Sequence, residues 1–300
     1  MNSLYLQKNN RITVSFYKYF FIADPKILKN TLLCFFKKTK TLGRIYISQE
    51  GINAQISVLK NYFLKIKNFI YTLHIALKNV LINISLDNTR QSFVTLKIKV
   101  RKNIVNDGIV DINFNPNIVG KYLDASTVNK MFYSNDSIFV DIRNSYEYAI
   151  GHFKNSINIL SKTFRQQIPK LVPYLNKFKK NNIILYCTGG IRCEKTTAWM
   201  LYNHFKNVYH IRGGIIGYVN EAKKNNLSIL FKGKNFVFDL RMYETISNDC
   251  LGTCLNCKKS YDFYINCKNK KCNLLFIQCP CCFNTLNGYC SLKCMYKNFF

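Results

Sequence analysis

Hydrophobic and polar positions in the first third of the chain follow two different periods. Apolar residues alternate with polar ones, as in half-buried strands, over residues 12–21, 43–47, 52–58 and 93–100. Helical spacing covers residues 25–38 and 62–77, and the first of these helices has Asp24 at its N-cap position and Pro25 in its first turn. The order β-α-β-β-α-β predicts a ferredoxin-like α+β sandwich, which is also the acylphosphatase-like arrangement.

The pattern changes near Pro116, where Asn, Phe and Pro break the periodicity and predict a linker. From there to about residue 230, short apolar strands alternate with helical segments, as in a parallel α/β sheet with helices on both faces. The chain therefore divides into predicted domains at residues 1–118, 119–231 and 232–300. In a parallel sheet, binding and catalytic sites lie at the carboxyl ends of the strands.

One apolar strand of the central region, residues 183–186, ends directly at Cys187. Backbone N–H groups of the following loop, and the positive end of the helix after it, favour a thiolate. Two glycines let the backbone approach the sulfur closely, and Arg192 adds a positive charge near a bound anion. We therefore predict that Cys187 is an activated nucleophile. The alternative is a buried structural cysteine.

The length of this loop favours sulfur chemistry over phosphate chemistry. Four residues separate Cys187 from Arg192, one fewer than in the phosphate loop of cysteine phosphatases. The shorter loop suits a smaller bound group, such as the outer sulfur of a persulfide. The loop resembles that of rhodanese, and residues 139–158 and 210–218 resemble two further rhodanese signatures. The predicted active-site loop consists of Cys187, Thr188, Gly189, Gly190, Ile191, Arg192 and Cys193. Cys193 either resolves a persulfide as a disulfide or simply fits the loop.

The charge of the chain points to a polyanionic partner. Lys and Arg number 44 against 15 Asp and Glu, a formal net charge of +29, which predicts binding to nucleic acid. Abundant Lys, Asn, Ile, Phe and Tyr are also typical of AT-rich genomes, which offers another origin for part of the excess. No apolar run approaches the roughly 20 residues that span a bilayer, so we expect a cytoplasmic protein that does not contact membranes.

Ten of the thirteen cysteines lie between Cys250 and Cys294. Eight of them form four pairs at metal-ligand spacing: Cys254 and Cys257, Cys267 and Cys272, Cys279 and Cys282, Cys290 and Cys294. Eight thiolates suffice for two structural zinc ions, shared by neighbouring or by interleaved pairs, with Cys281 competing for the place of Cys282. An iron–sulfur cluster is an alternative, as is a disulfide framework in an oxidising compartment.

Three segments together, residues 43–53, 186–195 and 272–279, resemble the bacterial rhodanese-type tRNA uridine hydroxylase family. The resemblance implies hydroxylation of the wobble uridine, uridine-34, of tRNA to 5-hydroxyuridine, with molecular oxygen as co-substrate and Cys187 as the active cysteine that passes through a persulfide. The residues alone favour a rhodanese-type sulfurtransferase, because they show neither a two-His-one-carboxylate set nor a flavin or nicotinamide motif. A third hypothesis is a non-enzymatic RNA-binding protein stabilised by zinc.

Overall fold

The N-terminal region is a five-stranded sheet with helices on one face. The computed structural model describes residues 10–296, so the predicted domain ends at residues 1 and 300 lie outside it. Its elements are β1 (Arg11–Tyr19), α1 (Pro25–Lys38), β2 (Leu42–Ser48), β3 (Gly51–Leu59), α2 (Phe63–Thr72), β4 (Asn83–Ile84) and β5 (Leu96–Val100). The strand order is β4-β1-β3-β2-β5, and residues such as Phe16, Leu32 and Ile56 form the core beneath the helices. This confirms the predicted acylphosphatase-like fold.

Two details of this region differ from the sequence prediction. The strand beside β1 is the two-residue β4, which is too short to show an alternating pattern. The predicted strand at residues 93–100 is confirmed at residues 96–100, which pair in parallel with β2 at the opposite edge. Helix α2 ends at Thr72, whereas the predicted helix continued to residue 77. Residues Ile75–Leu77 form a separate short turn, which His74 caps.

The central region is a parallel sheet covered on both faces. Its elements are β6 (Lys121–Leu123), α3 (Ala125–Phe132), β7 (Ser137–Asp141), α4 (Ser145–Ala149), β8 (Gly151–Phe153), β9 (Ile157–Asn158), α5 (Phe164–Leu175), β10 (Asn182–Tyr186), α6 (Ile191–Tyr202), β11 (Val208–Ile211) and α7 (Gly214–Lys224). The sheet order is β6-β11-β10-β7-β9, with every pairing parallel. The predicted α/β architecture is confirmed, and Cys187 follows the middle strand of the sheet.

The C-terminal region is small and carries little regular structure. It contains β12 (Phe231–Phe236), β13 (Tyr243–Thr245), β14 (Tyr264–Asn266), β15 (Leu275–Ile277), α8 (Pro280–Leu286) and α9 (Leu292–Tyr296). Strand β12 joins it to the central region by pairing with β8, while β14 and β15 form a hairpin among the cysteines. Within residues 10–296, none of the helices combines the length and apolar character that a membrane crossing requires.

Candidate active site and cysteine clusters

The loop from Cys187 to the start of α6 is held in a tight curve. Gly190 has φ 101°, in the left-handed region that favours glycine. The first turn of α7 packs directly against it, because the amide of Ile215 donates to the carbonyl of Cys187 at 2.9 Å. A Cβ on Gly214 would lie 2.4 Å from that carbonyl oxygen, so only glycine allows this approach. The start of α7, which follows the neighbouring strand β11, therefore fixes the cysteine loop on that side.

The structure stabilises Cys187 as a thiolate. Its side chain is buried, and the amide of Gly190 donates to Sγ at 3.2 Å. Burial opposes ionisation, but hydrogen bonds from Cys193 and the charge of Arg192 outweigh it and lower the pKa of Cys187 to about 6. Burial and the adjacent Cys187 raise the pKa of Cys193 well above its usual range. Near neutral pH, Cys193 is therefore the thiol donor and Cys187 the anion.

Alkylation by iodoacetamide tests this ionisation. Because the thiolate is the reacting form, we expect the alkylation rate of Cys187 to increase with pH around its pKa of about 6 and to stay constant at higher pH. The reference is a free cysteine derivative in solution, whose rate continues to rise until about pH 8.5. Peptide mapping by mass spectrometry at each pH measures the modification of Cys187. A Cys187 rate that follows the free thiol would contradict the stabilised thiolate.

Arg192 does not face the loop as a free positive charge. Its guanidinium binds the Glu147 carboxylate through two hydrogen bonds, at 2.7 and 2.8 Å, and a third reaches Thr188 Oγ1 at 3.2 Å. Glu147 is fully buried and is fixed by a capping box with Asn144 at the start of α4. The arginine therefore braces the loop against α4, and a large part of its charge is balanced. Glu147 had no predicted role, although Asn144 three residues before it is a capping-box signal.

A second carboxylate without a predicted role, Glu194, connects the loop to the N-terminal sheet. Glu194 accepts a hydrogen bond from Tyr17 at 2.8 Å and another from Tyr122 at 2.6 Å. Burial and the Glu194 charge raise the pKa of both tyrosines, so they remain protonated donors. The Tyr17 hydroxyl lies so close to Gly190 that a Cβ there would be 2.9 Å away. The N-terminal sheet thus contacts the cysteine loop directly.

A buried lysine fastens the same helix to the N-terminal region. The ammonium group of Lys195 lies 2.6 Å from Glu50, in the turn between β2 and β3, and 2.7 Å from Asp107. All three side chains are largely shielded from solvent. Because breaking a buried ion pair leaves an uncompensated buried charge, these contacts hold the two regions in one relative position.

Between the two regions lies a cleft of about 1890 Å³, with Cys187 on one wall. The opposite wall is the face of the N-terminal sheet that α1 and α2 do not cover. Residues from four of its strands line the cleft, among them Tyr17, Arg44, Gln55 and Asn83. Typical pockets for small molecules measure about 300–1,000 Å³, so this cleft accommodates a larger substrate.

The eight predicted ligand cysteines meet in two groups of four. The first group is Cys254, Cys257, Cys279 and Cys282, and the second is Cys267, Cys272, Cys290 and Cys294. The sulfur atoms of each group lie within 4.8 Å of one another. The four pairs therefore interleave along the chain. The β14–β15 hairpin brings the distant pairs together.

The geometry of the groups fits a tetrahedral metal ion. Sulfur–sulfur distances of 3.6 Å separate Cys257 from Cys279 and Cys267 from Cys294. Four thiolates 2.3 Å from a zinc ion are roughly 3.8 Å apart, close to these distances. All thirteen thiols are free, which argues against a disulfide framework. Cys281 lies outside both groups, so the structure favours Cys282 as the fourth member of the first.

Comparisons with known proteins match the chain along nearly its whole length. Family profiles match the UPF0176 acylphosphatase-like domain at residues 11–104, the rhodanese-like domain at 124–221 and the rhodanase C-terminal domain at 232–295. A tRNA uridine(34) hydroxylase of Buchnera aphidicola is 53% identical over 99% of this chain and 92% of its own length. Proteins of the same name from Pectobacterium carotovorum and Escherichia fergusonii are 51% and 49% identical, each over 95% of this chain and 80% and 81% of their own. Among solved structures, wild-type EanB aligns with 33% of this chain and 25% of its own at 17% identity and a TM-score of 0.28, which is too weak to inform function.

Proposed function

Because the chain belongs to the tRNA uridine(34) hydroxylase family, with relatives about half identical to it over 95% or more of its length, we propose that it converts the wobble uridine of tRNA to 5-hydroxyuridine. It is an oxidoreductase-type enzyme. Molecular oxygen is the proposed co-substrate, and the cytoplasm is the proposed place of action. The proposed active residue is Cys187.

The observation that carries this proposal is the stabilised thiolate of Cys187 on the wall of a large cleft. A thiolate is the reactive form of cysteine, whether it attacks the substrate itself or first accepts a sulfur atom to become a persulfide. The loop amides that surround Sγ suit the outer sulfur of such a persulfide. Arg192 and Glu147 hold the loop in this shape, and Cys193 donates to the reacting sulfur.

We further infer that the two cysteine groups hold one structural zinc ion each. Four thiolates fill the coordination sphere of zinc and leave no open position, so this region supports the fold and takes no part in the chemistry. We also propose domain boundaries near residues 118 and 231, which separate the N-terminal sheet, the parallel sheet and the zinc-binding tail.

A second candidate function is sulfur transfer. The tight loop of four residues between Cys187 and Arg192 favours it, since it suits a persulfide. In that case Cys187 attacks the outer sulfur of a donor persulfide, the donor leaves as a thiolate, and Cys187 passes the sulfur to a thiol or to a tRNA base. The size of the cleft argues against cyanide or another small acceptor and leaves tRNA as the acceptor to test.

The nucleosides of cellular tRNA distinguish the two candidates. Total tRNA is digested from cells that contain the wild-type protein, the Cys187→Ala variant or no protein, and the nucleosides are measured by mass spectrometry. We expect 5-hydroxyuridine and its derivatives to disappear in both deficient strains. Unchanged levels of these nucleosides would exclude the hydroxylase, and a loss of thiolated nucleosides instead would establish sulfur transfer.

A further inference from the structure

The uncovered face of the N-terminal sheet is polar and is directed into the cleft. Strand alternation places apolar residues of β2 and β3, such as Ile45 and Ile56, under the helices. The intervening residues Arg44, Tyr46 and Gln55 lie on the other face and line the cleft with Cys187. A polar sheet face that the helices leave uncovered, and that lies opposite a reactive cysteine, is suited to bind the substrate.

The charges of the cleft suit a phosphate backbone. Seven basic residues line it without an ion-pair partner anywhere in residues 10–296: Lys18, Arg44, Lys78, Lys162, Arg165, Lys170 and Arg212. The first three belong to the N-terminal region and the others to the central region. The carboxylates in the cleft are already occupied, since two tyrosines donate to Glu194 and Asp239 pairs with Arg241. The cleft is therefore positively charged on both sides of the thiolate.

Tyr46 adds an aromatic surface between these charges. It lies on β2, two residues from Arg44, with part of its ring accessible and the Arg101 guanidinium 5.9 Å from the ring centroid. Proteins that bind single-stranded nucleic acids combine a basic groove with aromatic rings on which bases stack. Sheets of similar layout present aromatic side chains to unpaired RNA bases in this way.

We propose that the cleft binds a single-stranded RNA segment of several nucleotides. Arg44 holds the backbone on one wall, Lys162 and Arg212 hold it on the other, and a base beside the target nucleotide stacks on Tyr46. The identity of the target nucleotide rests on the proposed function, whereas the binding surface rests on the residues of the cleft. A volume of about 1890 Å³ exceeds what one nucleotide needs, in agreement with several bound residues.

Binding of a stem–loop RNA with a seven-nucleotide loop containing the target uridine tests this surface. All proteins carry Cys187→Ala, so that no turnover occurs, and fluorescence anisotropy is recorded at several salt concentrations. We expect R44E/K162E to weaken binding at least tenfold and to lower the slope of log affinity against log salt by roughly 1.4, about 0.7 for each lost contact. Y46A is expected to weaken binding about fivefold or more and to leave the slope unchanged.

The matched control is K26E/K65E, which makes the same change in net charge on α1 and α2. Both lysines are exposed on the helices that cover the opposite face of the sheet. Arg44→Lys keeps a charge at the same position and is expected to restore most of the binding. Equal loss in R44E/K162E and in the control would show that only total charge matters and would overturn the proposal.

Two more outcomes separate this surface from the proposed function. If single nucleotides bind as tightly as five- or seven-residue oligonucleotides, the cleft does not hold a strand and the surface proposal fails, even when hydroxylation is normal. If R44E/K162E and Y46A weaken binding as expected but the wild-type enzyme forms no 5-hydroxyuridine, the surface stands and the proposed function fails. Circular dichroism and metal content show that each variant is folded.

Discussion

Replacement of Cys187 by serine is expected to lower the rate of 5-hydroxyuridine formation by roughly a thousandfold or more. Serine has nearly the same size, so it fits the buried site between β10 and α6 and leaves the loop in place. Its hydroxyl does not ionise near neutral pH, even with the Gly190 amide that stabilises the thiolate. The measurement is a single-turnover assay with purified enzyme and tRNA, quantified by mass spectrometry of nucleosides.

Cys34→Ser is the matched control for this change, because Cys34 is an exposed cysteine on α1 far from the cleft lining. Its rate is expected to equal that of the wild type. Cys193→Ser examines the neighbouring thiol, since serine keeps an O–H donor beside Cys187 but cannot form a disulfide. A Cys187→Ser enzyme that retains a tenth of the wild-type rate would rule out Cys187 as the reacting group.

Replacement of Cys282 by alanine is expected to remove one of two bound zinc ions and to destabilise the C-terminal region strongly. Binding of a structural zinc ion provides about 10–16 kcal/mol of folding free energy in small domains, and three thiolates retain only part of it. This region has few buried apolar residues, with clusters built around Ile277 and Phe276, so the metal contributes a large share of its stability. Metal analysis of the purified protein and its thermal unfolding curve provide the measurements.

The adjacent Cys281→Ala is an unusually close control. Cys281 is a free, exposed cysteine one position away on the same helix, yet it belongs to neither group of four. We expect it to keep two zinc ions and the wild-type melting temperature. Two ions in both variants would mean that Cys282 is not a ligand, and iron in place of zinc in the wild type would favour the iron–sulfur alternative.

Local sequence patterns were sufficient for much of the fold. Asp24 and Pro25 marked the start of α1, and alternation located β1, β2 and β3, because each signal lies within a few residues of the element it specifies. The two-residue β4 carries no periodic signal, so the strand beside β1 was not predicted. Metal-ligand spacing identified the eight clustered cysteines, but their partition depends on how the β14–β15 hairpin folds back, which spacing alone does not encode.

In the site, too, the residues marked by neighbouring sequence were predicted, and their partners from distant parts of the chain were not. Cys187 was recognisable from the strand before it and the glycines after it. Arg192 was expected to face a bound anion, whereas its actual partner Glu147 lies 45 residues earlier in the chain. Tyr17 and Glu194 are 177 residues apart, and only the packing of the N-terminal sheet on the loop brings them together.

The contacts of Lys195 and Glu194 with the N-terminal region have a consequence for the gene. A reading frame shortened to the central region would encode a rhodanese-like protein whose Glu194 lacks the Tyr17 hydroxyl and whose Lys195 lacks Glu50 and Asp107. Such a fragment would keep every residue of the cysteine loop but would lose the N-terminal sheet that contacts it. We therefore expect the central region to lose the activity when it is expressed without the N-terminal region, although its cysteine loop is complete.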